Sequence, residues 1–314
     1  MASSYKPVTV ERAGAFLARR FGDAPTDVQP IGYGEWSKAF AFGRGSREYV
    51  VRFSEVDEDF AKDEQVTQFV VPRLPIPKMI ERGRTLGGHY AITERAPGGY
   101  LDDLDEEQMR RVSPSLFAGL DAMRVVDVSS TTGYGLWGAD GHGRHPTWKA
   151  ALLAIAEDLP GARTHGWHAA LGALPERMRA LEAGVKVLES AVVSCPEARH
   201  LVHSDLLHFN VLADDGRITA VLDWGSSIYG DFLYDIAWLA FWAPWFPAWD
   251  GIDFAREAAG HYAANDVDVP GFSERLRCYQ IHIGLDGQAY NAFRGRWDHF
   301  DAIAMRTLKV AAEG

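Results

Sequence analysis

Cysteine is scarce in this chain: Cys195 and Cys278 are the only two among 314 residues. Two are too few for a disulfide framework, and their spacing does not suit zinc, so a reducing, cytoplasmic setting is expected. Positive charge is also short, with 32 Lys and Arg against 43 Asp and Glu, a net charge of −11. That balance supplies no basic stripe for nucleic acid. It suits a cationic ligand, with a merely solvated surface as the plainer explanation. Long apolar runs are missing. The longest, 236–249, has 14 residues, contains Pro244 and Pro247, and is too short to span a membrane. The opening MASSYKPVTVERAG has no apolar stretch of the signal-peptide kind. Repeats and low-complexity tracts are absent too. What remains is an ordinary globular composition, 47% apolar and 24% charged. The length allows one large or two modest domains with a core that needs no staples, and a monomer is expected.

Along the chain, apolar spacing predicts a helix over 8–21. Strands are expected at 39–42 and 48–53, joined through Gly43, Arg44 and Gly45 as a hairpin. A helix over 59–71 is stopped by Pro72, Pro75 and Pro77. A strand at 89–93 leads into ERAPGG (94–99), whose Pro and two Gly mark a linker. Beyond it, helices are expected over 105–126, 147–158, 174–193, 231–242, 252–264 and 272–292. The single exception is a hairpin, 210–213 with 217–222, turning at Asp214-Asp215-Gly216. The division is therefore a small α+β lobe, 1–97, and a larger, mainly helical lobe, 98–314.

The chemistry concentrates in HLVHSDLLHFNVLADDGRITAVLDWGSSIYGDFLYDIAWL, residues 200–239. His203-Ser-Asp205, four residues and Asn210 give the spacing H-x-D-x-x-x-x-N, and Asp223-Trp-Gly follows an apolar strand. This is the order of a kinase catalytic loop, a hairpin and a metal-binding aspartate. Phosphoryl transfer needs a carboxylate to orient the acceptor hydroxyl and receive its proton, which suits Asp205. It also needs oxygen ligands for Mg²⁺ on the nucleotide phosphates, which suits Asn210 and Asp223. A solvated acidic loop would explain the six aspartates of 200–236 less well. Asp205 and Asp223 adjoin apolar strand sequence, where an idle carboxylate is costly. Asp231 and Asp235 lie just downstream. N-capping of the helix 231–242 competes with a ligand role at Asp231, and Asp235 is placed to bond the loop through His203 or its backbone.

Nearer the N-terminus, Gly32 and Gly34 begin a glycine turn with Ser37 beside it, ahead of Tyr49-Val-Val-Arg52-Phe. Alone this is an ordinary hairpin motif. Before a strand carrying a cation it suits nucleotide phosphates. The cation is Arg52 where lysine is usual, and the two are not interchangeable. Its ion-pair partner should come from the next helix, as Asp63 or Glu64. The histidines build no metal site. Trp238, Phe241, Trp242, Trp245, Phe246 and Trp249 crowd one segment that Pro244 and Pro247 break, so about half are expected in the core. The others would form an aromatic wall suited to a sugar-like cation.

HSDLLHFN, LDWG and GDFLYD followed by a Trp-rich helix resemble the aminoglycoside phosphotransferase family. The resemblance runs from about residue 8 to about residue 300. It implies a bilobal, protein-kinase-like α+β fold, ATP and Mg²⁺ as cofactors, and a cationic aminoglycoside or aminocyclitol as acceptor, with hygromycin B the leading candidate. It makes Asp205 the catalytic residue and Asn210 and Asp223 the metal holders. It sets adenine against the backbone near Glu94 and Ala96. Trp242 and Trp245 would border the acceptor, with Asp231 and Asp286 among the carboxylates for its ammonium groups. Leu206, Leu207, His208 and Phe209 differ from the family members that act on hygromycin B, and the segment after 249 is less alike. Other readings are a metabolic small-molecule kinase of the same fold, acting on homoserine, choline, a methylthio-sugar or a macrolide, or a non-catalytic pseudokinase. The presence of Asp205, Asn210 and Asp223 argues against the last.

Overall fold

The structure is a computed structural model and describes residues 8–23, 25–34, 36–69 and 71–313. The first helix, α1 (Val10–Phe21), starts where the Thr9 hydroxyl accepts from Arg12 N and ends at Gly22. Its Phe16 and Leu17 pack on the strands that follow. Those strands are β1 (Thr26–Tyr33), β2 (Ser37–Arg44) and β3 (Arg47–Ser54), then β4 (Met79–Thr85) and β5 (Gly88–Glu94). They form one antiparallel sheet in the order β1-β2-β3-β5-β4. Phe40, Phe42, Val51, Phe53, Tyr90 and Ile92 complete this smaller core. Between β3 and β4 runs α2 (Glu58–Val66), shorter than the expected 59–71 because the chain leaves the helix well before Pro72.

After β5 the chain crosses to β6 (Gly99–Tyr100), which pairs with the second half of the chain: Tyr100 faces Leu212 and Gly99 faces Ala213. The approach is too close for a side chain at Gly98, where a Cβ would fall 2.4 Å from Ala213 O and φ is +108. Then come α3 (Glu106–Arg124), opened by an Asp105–Gln108 capping box, β7 (Tyr134–Trp137), β8 (Gly143–His145), α4 (Trp148–Leu153), α5 (Trp167–Gly172) and α6 (Pro175–Ala191). They are followed by β9 (His200–Val202), β10 (Val211–Asp214), β11 (Arg217–Val221) and β12 (Ile228–Gly230), and by α7 (Leu233–Trp242), α8 (Phe254–Ala264), α9 (Phe272–Arg294) and α10 (Trp297–Ala312).

The expected hairpin is β10–β11. Its turn has Asp215 and Gly216 both at positive φ, the requirement of a tight two-residue turn. It is not the only sheet in this half, as the sequence suggested. A second small sheet, β8-β7-β12-β9, lies beside it. Its strands have three or four residues each, too few for alternation to stand out. Helix α9 runs through the larger core against α5, α6, α7 and α10. Trp238, Phe241 and Trp249 are buried, while Trp242, Trp245 and Phe246 are only partly covered. Among the described residues no helix is long and apolar enough to cross a membrane.

Candidate active site

Between β9 and β10 the chain makes a loop that carries Asp205 and Asn210. The loop is fixed from below by Asp235 of α7, which accepts from His203 N at 2.9 Å and Ser204 N at 2.8 Å. Asp235 thus bonds the loop through the backbone of His203 and Ser204, the contact its place in the sequence suggested. Burial raises its carboxyl to about 7 despite these bonds. His203 is fully buried, and burial lowers its pKa, so the ring stays neutral. Its Nε2 donates to Leu222 O at 2.8 Å and its Nδ1 accepts from Asp205 N at 3.2 Å, which ties the loop to the end of β11. Asn210 Nδ2 donates to Asp205 O at 2.8 Å, which turns Oδ1 the other way. Leu222 N donates to Asn210 O at 2.7 Å, so the β10–β11 ladder sets Asn210 beside Asp223.

Asp223 adopts left-handed backbone, φ +56, at the mouth of a small cavity of about 40 Å³. The cavity is also lined by Gly34, Trp36, Ser37, Arg52, Asp59 and Phe60. Burial, then Asp63, raises the Asp223 carboxyl to about 6, against the pull of Arg52. Burial opposes the charge of Arg52, but Asp63 and Asp223 outweigh it and hold its pKa up. The partner left open in the sequence is thus Asp63, which forms the ion pair with Arg52 and accepts from Trp224 N at 2.9 Å. Glu64, named as a nucleotide-side residue, instead turns outward to Arg82 at 2.7 Å, because it lies one position further round α2.

Two basic residues here escaped the sequence. Arg163, from the connection between α4 and α5, grips Asp59 with both amino groups, at 2.8 and 2.5 Å. Lys62 is buried under the Asp-Trp-Gly turn, donating to Gly225 O at 2.7 Å and Ser227 O at 3.1 Å, and burial lowers its pKa to about 7. Gly225 leaves room for the Asp59 carboxylate, since a Cβ there would fall 2.7 Å from Asp59 Oδ1. Neither partner set is near in sequence, so no motif announces it.

Of the remaining nucleotide-side expectations, Gly34 and Ser37 line the cavity. Gly32 pairs with Ala39 in the β1–β2 ladder, with open space where a Cβ would be. Glu94 ends β5, its N–H bonded to Lys78 O at 3.0 Å, and Ala96 lies in the crossing to β6. Magnesium keeps several waters and binds through one or two protein carboxylates plus phosphate. Asn210 and Asp223 fit that modest donor set. Asp59 and Asp63 are matched by Arg163 and Arg52, which leaves the Asp223 carboxylate for a cation. Among the described residues no group of three or more His, Cys, Asp or Glu forms a metal cage, and Mg²⁺ does not need one.

On the other side of Asp205 stand aromatic rings. The His208 ring lies 5.5 Å from Trp242 and 6.3 Å from Trp238, edge-on to both, and Trp245 packs 5.0 Å from Trp242. Trp242 rests on α9 at Gly287, where a Cβ would meet its ring at 3.5 Å. The next residue back, Asp286, is exposed to solvent. Burial, then the charge of Asp205, raises its carboxyl to about 6. Asp231, expected beside it, is not there. It is 0% exposed, and its two oxygens accept from Arg275 at 2.7 and 2.8 Å and from Tyr279 at 2.6 Å. Helix α7 begins two residues later, at Leu233, and Asp231 Oδ1 also accepts from Leu233 N at 3.3 Å, so the capping role is kept in part. A carboxylate neutralised by a buried guanidinium has no charge left for a ligand.

A sheet capped by a helical half, with a cation on β3, a carboxylate on the loop after β9 and an Asn–Asp pair on one hairpin, defines a kinase-like phosphotransferase with a hydroxyl acceptor. Residues 27–271 match the phosphotransferase enzyme family, and the chain belongs to that family. It is 33% identical over 293 residues to the hygromycin-B 4-O-kinase of Escherichia coli, covering 93% of this chain and 82% of that one. Among solved structures it is similar to a thermostable mutant of aminoglycoside phosphotransferase APH(4)-Ia, in ternary complex with AMP-PNP and hygromycin B. The TM-score is 0.83 and the identity 32%, with 96% of this chain and 99% of that one covered. The GDP complex of aminoglycoside 2'-phosphotransferase-IIIa shares the fold, with a TM-score of 0.68 and 15% identity over 97% and 99% of the two chains.

Proposed function

We propose that this protein transfers the γ-phosphoryl group of ATP to a hydroxyl of a cationic aminocyclitol, hygromycin B or a near relative, and so confers resistance to it. The observation that carries the reading is Asp205. Asn210 of its own loop bonds back to it, the cavity lined by Arg52 and Asp223 lies on the hairpin side, and His208 links it to the rings of Trp242 and Trp245 near Asp286. In this reading the crossing at 95–98 is the hinge between lobes 1–97 and 98–314. The backbone near Glu94 and Ala96 meets adenine. Arg52, fixed by Asp63, neutralises phosphate oxygens, and Gly34 and Ser37 cover them. Asn210 and Asp223 would hold Mg²⁺, which supplies charge neutralisation on the phosphates when bound. Asp205 accepts the hydroxyl's hydrogen bond and takes its proton as the P–O bond forms. Asp286 attracts an ammonium group, and Trp242 with Trp245 offers flat apolar faces to the rings. The relatives named for hygromycin B support this choice of acceptor.

The test is incubation of the purified protein with ATP, Mg²⁺ and hygromycin B, followed by mass spectrometry. The expected product is hygromycin B carrying one added phosphoryl group. An unmodified antibiotic, in a preparation that phosphorylates another alcohol, would refute the acceptor and leave the reaction class in place.

A further inference from the structure

We propose that Asp102 is a positioning residue that holds His208 against Asp205 and thereby decides which oxygen of Asp205 an acceptor hydroxyl can reach. Asp102 lies in the turn 101–103 that follows β6, far in sequence from the loop it serves. Its Oδ1 accepts from His208 N at 2.7 Å and its Oδ2 from Phe209 N at 3.1 Å. These two residues have φ of +64 and +70, a left-handed backbone that side chains with a Cβ seldom hold in succession. A carboxylate bonded to both N–H groups favours that conformation over the alternatives.

The consequence is directional. With the backbone at 208 and 209 fixed, His208 Nδ1 donates to Asp205 Oδ1 at 3.2 Å, and its ring stands edge-on to Trp242 and Trp238. One oxygen of Asp205 is therefore engaged from within the loop, and the acceptor hydroxyl is left with Oδ2. The imidazole also narrows the gap between Asp205 and the tryptophans, so an acceptor ring enters past it. Phe209 points outward, 56% exposed and edge-on to Tyr100 at 5.2 Å, which closes the hinge side of the same loop.

This inference rests on the phosphotransferase reading above, and two readouts separate their failures. With hygromycin B as acceptor, Asp102→Ala should raise acceptor KM and lower kcat by about tenfold each while ATP KM stays within about twofold. Asp102→Asn should fall between, because one amide oxygen replaces two carboxylate oxygens. Adding Phe209→Gly to Asp102→Ala should recover part of the loss, since glycine holds positive φ freely. The second readout needs no acceptor: ¹⁵N NMR of the His208 Nδ1 should shift in Asp102→Ala and in Asp205→Asn. If Asp102→Ala does not fold, Asp102→Asn carries both comparisons. A shifted Nδ1 signal in a protein inert toward hygromycin B would sink the acceptor reading and support the clamp. An unmoved Nδ1 signal, or KM values for ATP and acceptor rising together, would overturn the clamp.

Discussion

The two sides of Asp205 treat carboxylates in opposite ways. On the nucleotide side they are matched with arginine: Asp63 with Arg52, and Asp59 with Arg163. On the acceptor side they are held by weaker partners. Asp102 accepts backbone N–H groups, Asp205 meets the His208 ring, and Asp286 is held between α9 and solvent with its proton affinity raised. An arginine-rich wall attracts phosphate, and a wall of carboxylates and tryptophan attracts an ammonium-bearing ring. In the proposed function this asymmetry, rather than the overall charge of −11, is what would favour a cationic acceptor over a neutral alcohol.

Asp231 is the control for this comparison, since it is a carboxylate of the same segment whose charge is matched by Arg275. Asp231→Ala should cost about 3–5 kcal/mol of stability, the scale for removing one partner of a buried ion pair. Urea unfolding measures it. The kinetic constants of the variant that remains folded should be near those of the parent, and a selective rise in acceptor KM would return Asp231 to the substrate site.

Asp205→Ala should lower kcat by at least about 10²-fold with little change in unfolding midpoint, because the residue lies on an open loop tied down by Asp235 and His203 rather than by itself. Rapid-quench or steady-state assays would show it. Near-normal turnover would place the acceptor elsewhere.

Much of this site is legible in the sequence. The spacing of His203, Asp205, Asn210 and Asp223 encodes the loop and hairpin, because the residues that meet are at most a hairpin apart and the turn chemistry of Asp215-Gly216 closes it. Most of the helices match for the same local reason. The missed ion-pair and hydrogen-bond partners share one cause, which is distance. Arg275 is 44 residues from Asp231, Arg163 is 104 from Asp59, and Asp102 is 106 from His208. No periodicity reports a partner that far away. The choice between Asp63 and Glu64 needed the rotation of α2 on the sheet. The strands of the second sheet and β1 and β4 were too short or too irregular to register, and α10, although amphipathic, went unassigned.

A smaller effect concerns pH. Tyr234 Oη donates to His282 Nδ1 at 2.8 Å, and burial lowers the His282 pKa to about 4. The folded state therefore keeps this ring neutral where the unfolded chain, at an ordinary value near 6.5, protonates it. Its contribution to stability is present above about pH 6.5 and is lost as pH falls toward about 4, with a limiting slope of about 1.4 kcal/mol per pH unit. Relative to His282→Gln, the parent should lose stability over that window in pH-dependent urea titrations. Parallel curves would show that His282 titrates normally.

Whether the acceptor side works by carboxylate charge is decided by steady-state kinetics of Asp286→Asn with both substrates varied. KM for hygromycin B should rise about tenfold, its dependence on ionic strength should weaken, and KM for ATP should not change. An acceptor KM equal to the parent's, or an equal rise for ATP, would contradict it.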